Sequence, residues 1–235
     1  STWNGSGCHV VWGYGVVRSL DYSSNGDGTC TVVGIGTCTD TEITIPQYSP
    51  DGDLVTRIGN AAFSDCTGLT SVKIPVSVTR IDKAAFSGCT GLVSITIPPS
   101  VTQISNSVFY GCTGLTDVTI PESVTNICAS AFNGCTGLTS ITIPSGVTSI
   151  DNAAFSGCTG LTDISIPSNV TSIGDSVFSG CTGLMGITLP TSVTSIGNYA
   201  FFNCNCFCGS FFFSRFLLRV HGLLRTLLFR MLLLL

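Results

Sequence analysis

Along most of the chain, apolar and hydroxyl-bearing positions follow one another in a fixed order. In "LTSITIP" (residues 138–144) apolar residues alternate with Ser and Thr after the first Leu, which predicts a short strand with one buried face. Proline ends it, because its nitrogen has no proton to give to a ladder. "VTSI" (residues 147–150) predicts a second extended piece. "DNAAF" (residues 151–155) leads from Asp into small residues and suits one short helical turn. "CTG" (residues 158–160) supplies the turn back, with its glycine free to take a positive φ.

The whole phrase then returns every 23 residues. Phe63, Phe86, Phe109, Phe132, Phe155, Phe178 and Phe201 keep this step, and so do the prolines from Pro75 to Pro190. Six full repeats run from Val55 to Ser192 and a partial one ends near Cys204, so residues 55–204 form the repeat region. Residues 29–54 look like a degenerate capping repeat: Ile35 precedes Cys38 by three, as Phe63 precedes Cys66, and "EITIP" repeats the strand. Residues 1–28 carry no repeat signature and read as a flank or an extra capping strand. A single unit has too few apolar side chains to offset the entropy of ordering it, so units must stack, with ~4.8 Å between equivalent strands. The expectation is an α/β-type, strand-rich solenoid of short parallel strands with one short helical turn per coil.

The segment "VTSIGDSVFSGCTGLMGITLP" (residues 170–190), with its P-x-x-V-T-x-I…A-F-x-x-C pattern, resembles the BspA-type leucine-rich repeat. This is the 23-residue class named for bacterial surface proteins, and the resemblance covers residues 55–204. It implies a right-handed leucine-rich-repeat solenoid on a cell-surface or secreted protein, often an adhesin.

One cysteine stands at the same slot in every unit: Cys66, Cys89, Cys112, Cys135, Cys158, Cys181 and Cys204. Stacking brings equivalent Cα atoms within disulfide range, but in-register Cβ vectors run parallel and stay ~4.8 Å apart rather than ~3.8 Å. Zinc needs ligands converging on a tetrahedron, which a straight column does not offer. A nucleophilic thiol needs a base, and His9 and His221 both lie outside the repeats. The column therefore reads as core packing, with free cysteine acting as a small hydrophobe. Cys30 and Cys38 flank "TVVGIGT" and could face each other across a hairpin; the alternative is that Cys38 begins the packed column. Cys128 takes a slot held by Gly in other units, and "CNCFC" (residues 204–208) is a weak metal signal. No P-loop, G-x-S-x-G, H-E-x-x-H or EF-hand pattern is present. No catalytic residue, metal site or cofactor is expected, and the chain does not read as an enzyme.

Composition adds two constraints. Charged residues are only 9% of the chain, so its surface is hydroxyl-rich. Residues 1–204 carry every acid, a body without the basic footprint that nucleic acid requires. The expected partner is a protein or glycan at a surface. Outward strand positions place Lys73, Ser94, Thr96, Asp117, Thr119, Ser140, Thr142, Asp163, Ser165 and Thr188 on one face, the candidate ligand surface. A third column runs from Thr56 to Thr194, where threonine suits strands and its hydroxyls can bond along the stack. Aromatic anchors stand elsewhere, at Tyr48, Tyr110 and Tyr199. The competing readings are a spacer without its own ligand and, more remotely, an ice-binding array, which Lys73, Asp117 and Asp163 would interrupt.

Residues 205–235 leave the repeat. They hold Arg215, Arg219, Arg225 and Arg230 and no acid among many Phe and Leu. Two central arginines offset the apolar gain of a membrane span. Residues 211–235 can instead be drawn as a cationic helix in contact with a membrane surface, and out-of-frame translation gives the same composition. No basic-then-apolar leader opens the chain.

Overall fold

The computed structural model describes residues 20–205. From Ser71 to Ile173 each coil contributes a three-residue strand, a two-residue strand and a run of turns, and equivalent pieces stack in parallel. The first column of strands comprises β3 (Glu42–Thr44), β5 (Ser71–Lys73), β7 (Ser94–Thr96), β9 (Asp117–Thr119), β11 (Ser140–Thr142) and β13 (Asp163–Ser165). Strand order is β3-β5-β7-β9 in one sheet and β11-β13 in the next, and Ser165 bridges on to Thr188. The second column joins β2 (Thr29–Gly34), β4 (Leu54–Ile58) and β6 (Arg80–Ile81) in one sheet. It continues with β8 (Gln103–Ile104), β10 (Asn126–Ile127), β12 (Ser149–Ile150), β14 (Ser172–Ile173) and β15 (Ser195–Ile196) in another.

At the N-terminal end β1 (Asp21–Ser24) pairs antiparallel with β2, closing that edge with an Asn25–Gly28 turn. The six extra residues after Pro46 fold back on themselves, with Ser49 N–H donating to Asp53 O at 2.8 Å and Tyr48 bridging Leu54. Cys38 N–H donates to Ile35 O at 3.0 Å, the bond that Cys66 N–H makes to Phe63 O at 3.2 Å. The irregular coil thus keeps the turn chemistry of the regular ones.

The core is a set of columns along the stack. Leu69 to Leu184, Ile58 to Ile173, Val78 to Val193 and Phe63 to Phe178 are buried at every step. Successive phenylalanine rings stack with centroids 5.2–5.8 Å apart and planes within 19°.

The expected helical turn is not there: among the described residues no stretch is helical. The reason is in the amides. N–H groups of Ala61, Phe63 and Asp65 donate to Lys83, Ala85 and Ser87 of the next coil, at 3.0, 2.8 and 2.7 Å. Those of Ala62, Ser64 and Cys66 donate three residues back within their own coil. An α-helix would direct every amide along its own chain; here alternate ones build a ladder between coils. A positive φ at Ala61, Ala84, Ser107, Ser130, Ala153, Ser176 and Tyr199, between 53° and 57°, interrupts helical geometry in each unit.

The role expected of the "CTG" glycine also changes. Positive φ belongs instead to the residue before the cysteine: Gly88, Gly111, Gly134, Gly157 and Gly180, with φ of 69–75°. The "CTG" glycine is needed for close approach. A Cβ on Gly91, Gly114, Gly137, Gly160 or Gly183 would sit 2.4–2.6 Å from the threonine carbonyl oxygen one coil earlier. Gly68 opens the series with no earlier regular coil beneath it and has nothing within 4 Å.

Candidate functional site

The cysteine column lies inside the turn side. Cys89, Cys112, Cys135, Cys158 and Cys181 are fully buried, while Cys66 and Cys204 at the two ends are half-buried. Cys66, Cys89, Cys112, Cys135, Cys158 and Cys181 are free thiols. Packing is only part of their role, because each of the five buried sulfurs donates to the phenylalanine carbonyl of the preceding coil at 3.0–3.1 Å. The slot suits a side chain that is both a small hydrophobe and a weak donor. Burial pushes the Cys112 and Cys158 thiols up to about 12, and burial likewise raises Cys89 and Cys135. Cys181 is raised first by its hydrogen bond with the Cys204 thiol and then by burial. Thiols held protonated in this way are poor nucleophiles and poor ligands.

Cys38 is disulfide-bonded and Cys30 is a free thiol, so the two do not pair across the hairpin. Cys38 is buried where the thiol column would begin, yet it is disulfide-bonded. Cys128 is a half-buried free thiol. Among the described residues no group of three His, Cys, Asp or Glu side chains could hold a metal ion. His9, His221, Cys206 and Cys208 lie outside the described residues, as does the 211–235 segment considered for membrane contact. Among the described residues no helix is long and apolar enough to cross a membrane.

The candidate ligand residues share the first sheet column. Ser71 pairs with Ser94 and Ser94 with Asp117; Thr96 pairs with Thr119, Thr142 with Ser165, and Ser165 with Thr188. Lys73, Ser94, Thr96, Asp117, Thr119, Ser140, Thr142, Asp163, Ser165 and Thr188 are all exposed. Their partners on the strands, Val72, Ile95, Val118, Ile141 and Ile164, point into the core.

Hydrogen bonding separates this face from the other threonine columns. Thr79, Thr125, Thr148 and Thr194 donate their hydroxyls to the carbonyl of the threonine 23 residues earlier, at 3.3–3.5 Å. Thr70, Thr116 and Thr162 donate to carbonyls of the preceding coil at 2.9–3.2 Å. Those hydroxyls are spent on the stack. The side chains of Ser94, Thr96, Thr119, Ser140, Thr142, Ser165 and Thr188 make no hydrogen bond within the described residues and keep their donors for solvent or a ligand. Tyr48, Tyr110 and Tyr199 are exposed but stand off this sheet, and Tyr199 meets Phe202 edge-on at 5.9 Å.

A BspA-type leucine-rich repeat profile matches residues 37–162 and 148–214 in six copies. The chain belongs to the BspA-type leucine-rich repeat family. Its fold is similar to a leucine-rich repeat protein from Bacteroides ovatus, at TM-score 0.72 and 30% identity over 82% of this chain and 57% of that one. The T. pallidum leucine-rich repeat protein gives TM-score 0.74 and 29% identity, covering 79% of this chain and 86% of that one. A leucine-rich cell surface protein from Faecalibacterium prausnitzii gives TM-score 0.50 and 28% identity over 80% of this chain and 73% of that one. The chain thus spans little more than half the length of the Bacteroides protein. No curated protein matches it. BspA-type repeats are generally interaction modules rather than enzymes, and adhesion is a general role of the family.

One further column on the second strands is hidden by the repeat. The variable residue of V-T-x-I is Arg57, Arg80, Gln103, Asn126, Ser149, Ser172 and Ser195 in successive coils. The flanking Val, Thr and Ile repeat so closely that the position between them reads as filler.

Proposed function

We propose that this BspA-type protein is a non-enzymatic surface module that binds a protein or glycan through the first sheet face. The observation that carries this reading is the row of exposed Ser and Thr hydroxyls left without intramolecular partners while neighbouring threonine columns are consumed by the stack. Extended regular surfaces of this kind are how repeat solenoids commonly engage partners. The sheet face has no Trp, Tyr or Arg anchor, so each contact is weak and useful affinity comes from many copies. A cell-surface or secreted location fits the similar Faecalibacterium surface protein. The right-handed sense of the coil and the adhesin role belong to this same reading.

A spacer role is the second reading, favoured by the near-identical repeats of residues 55–204. The two part on one experiment: binding of the full chain to immobilised matrix glycoproteins and mucin glycans, beside a variant carrying Thr96→Gln, Thr119→Gln, Thr142→Gln and Thr188→Gln. Saturable binding that the folded variant loses supports the module. No saturable binding to any surface by the folded chain leaves the spacer. In the same preparation we expect no thermal hysteresis, because Lys73, Asp117 and Asp163 break the array that ice binding would need.

A further inference from the structure

On the second strand column, Arg57 of β4 and Arg80 of β6 are register partners on adjacent coils. Two like charges held opposite each other on neighbouring strands repel, yet here both are steered to one point. The Arg57 Nε donates to Asp82 Oδ2, and the Arg80 Nε donates to Asp82 Oδ1 at 2.6 Å. Asp82 is only 2% exposed, while the arginine side chains are 39% and 58% exposed. One buried carboxylate therefore fixes two guanidiniums side by side, and it leaves the trio with a net positive charge.

The fold does not require this arrangement. The slot of Asp82 is Gly59, Ser105, Cys128, Asp151, Gly174 and Gly197 in the other coils. A buried ion pair is seldom a net source of stability. The two hydrogen bonds use only Nε, so the Nη groups of both arginines stay free among the described residues. Paired, pre-oriented guanidinium forks are the arrangement that recognises planar carboxylates and sulfates. At the same 23-residue step the column continues with Gln103 and Asn126, whose amides suit sugar hydroxyls. Among the described residues the bases are Arg57, Lys73, Arg80 and Lys83, all within residues 55–100, where the acids are Asp65 and Asp82.

From this geometry we infer a second binding site: Arg57 and Arg80, clamped by Asp82, hold the carboxylate or sulfate of an acidic glycan that runs along the Gln103–Asn126 column. The site lies on a different strand column from the Ser/Thr face and stands whether or not that face binds anything.

The test uses the full chain and three immobilised polysaccharides: a sulfated glycan, an unsulfated polyuronate and neutral dextran. Wild type is expected to bind at least one acidic glycan saturably, weakening steeply with salt, and to ignore dextran. Changing the arginines alone would strand Asp82, so the decisive variant is Arg57→Gln, Arg80→Gln and Asp82→Ser together, since Ser105 shows that serine fits this slot. It should remain folded and bind at least tenfold more weakly. The comparison variant, Lys83→Gln, removes one positive charge outside both the clamp and the Ser/Thr face, the same net change as the triple variant, and should lose less than threefold. Preference for the sulfated glycan or the polyuronate identifies the anion. The inference is overturned if wild type binds neither acidic glycan, if the folded triple variant binds as well as wild type, or if the lysine variant loses as much as the triple one.

Discussion

Gly160 stands in the turn segment and Thr142 on the first sheet face, and both slots repeat at the same 23-residue step. A Cβ on Gly160 would lie 2.4 Å from the Thr136 carbonyl oxygen, whereas the exposed Thr142 side chain bonds to nothing in the described residues. The turn side is constrained at nearly every residue. Alternate amides cross to the next coil, thiols reach back to the previous one, and the phenylalanine rings leave no room between them. On the sheet face the inward residues are buried at every step from Val72 to Ile164, while the outward slots vary among Lys, Ser, Thr, Asp and Gly. Regularity therefore has two meanings in one repeat. Where geometry compels it, repetition reports folding; where it does not, departures from it, such as Arg57 and Arg80, report what the surface can do.

The largest effect expected on the turn side is collective and depends on pH. A thiol whose folded value is raised above the ordinary 9.0 stays protonated in the folded state while its unfolded counterpart ionises. Its stabilising contribution is complete below pH 9 and is lost as pH climbs from 9 towards about 12, for Cys112 and Cys158 alike. Each such thiol removes roughly 1.4 kcal/mol per pH unit in that window. Denaturant unfolding measured from pH 8 to 11 should show stability falling above pH 9. A Cys135→Ser, Cys158→Ser variant should fall less steeply, by about two thiols' worth. Equal slopes would mean that the column does not hold its protons.

Next in size is the aromatic stack. Phe132→Ala should cost about 3–5 kcal/mol, because Phe109 and Phe155 lose a stacked neighbour on each side and the rigid coil cannot close the gap. Thermal unfolding followed by circular dichroism would show it. Gly160→Ala should follow at roughly 1–3 kcal/mol by forcing coils apart. Gly68→Ala, with nothing within 4 Å, should change stability little or raise it slightly. If both glycine variants behaved alike, close approach would not be the reason the "CTG" glycine recurs.

The solenoid, its strand columns and its inward residues were legible because a period of 23 and alternation in "LTSITIP" leave few other arrangements. The turn between them was not. "DNAAF" has the composition of a helical turn, and only the neighbouring coil decides that Ala153 N–H donates to Asp175 O rather than within its own chain. Local pattern carries no record of such a choice. Likewise Gly157 and Gly160 are one symbol in the sequence, yet the first supplies a φ of 72° and the second an absent side chain. At the candidate surface the sequence identified the outward Ser and Thr but not which hydroxyls were spent, since that depends on a carbonyl one coil away. The clamp around Asp82 was hidden for the same reason: Arg57 and Asp82 are 25 residues apart and meet only through stacking.

The smallest effect sharpens the comparison most, because it compares two threonines of one strand segment. Thr116 and Thr119 are both exposed, three residues apart. Thr116 donates its hydroxyl to Val93 O at 3.2 Å, and Thr119 donates to nothing in the described residues. Valine preserves shape and strand preference at either site. Thr116→Val should therefore cost about 0.5–1 kcal/mol, the net worth of one such hydrogen bond. Thr119→Val should stay within about 0.5 kcal/mol of wild type, as surface changes away from such features usually do. Chemical denaturation of the two variants side by side resolves the difference. Equal losses would mean that the sheet face is also held by the stack, and that its hydroxyls are not in reserve for a ligand.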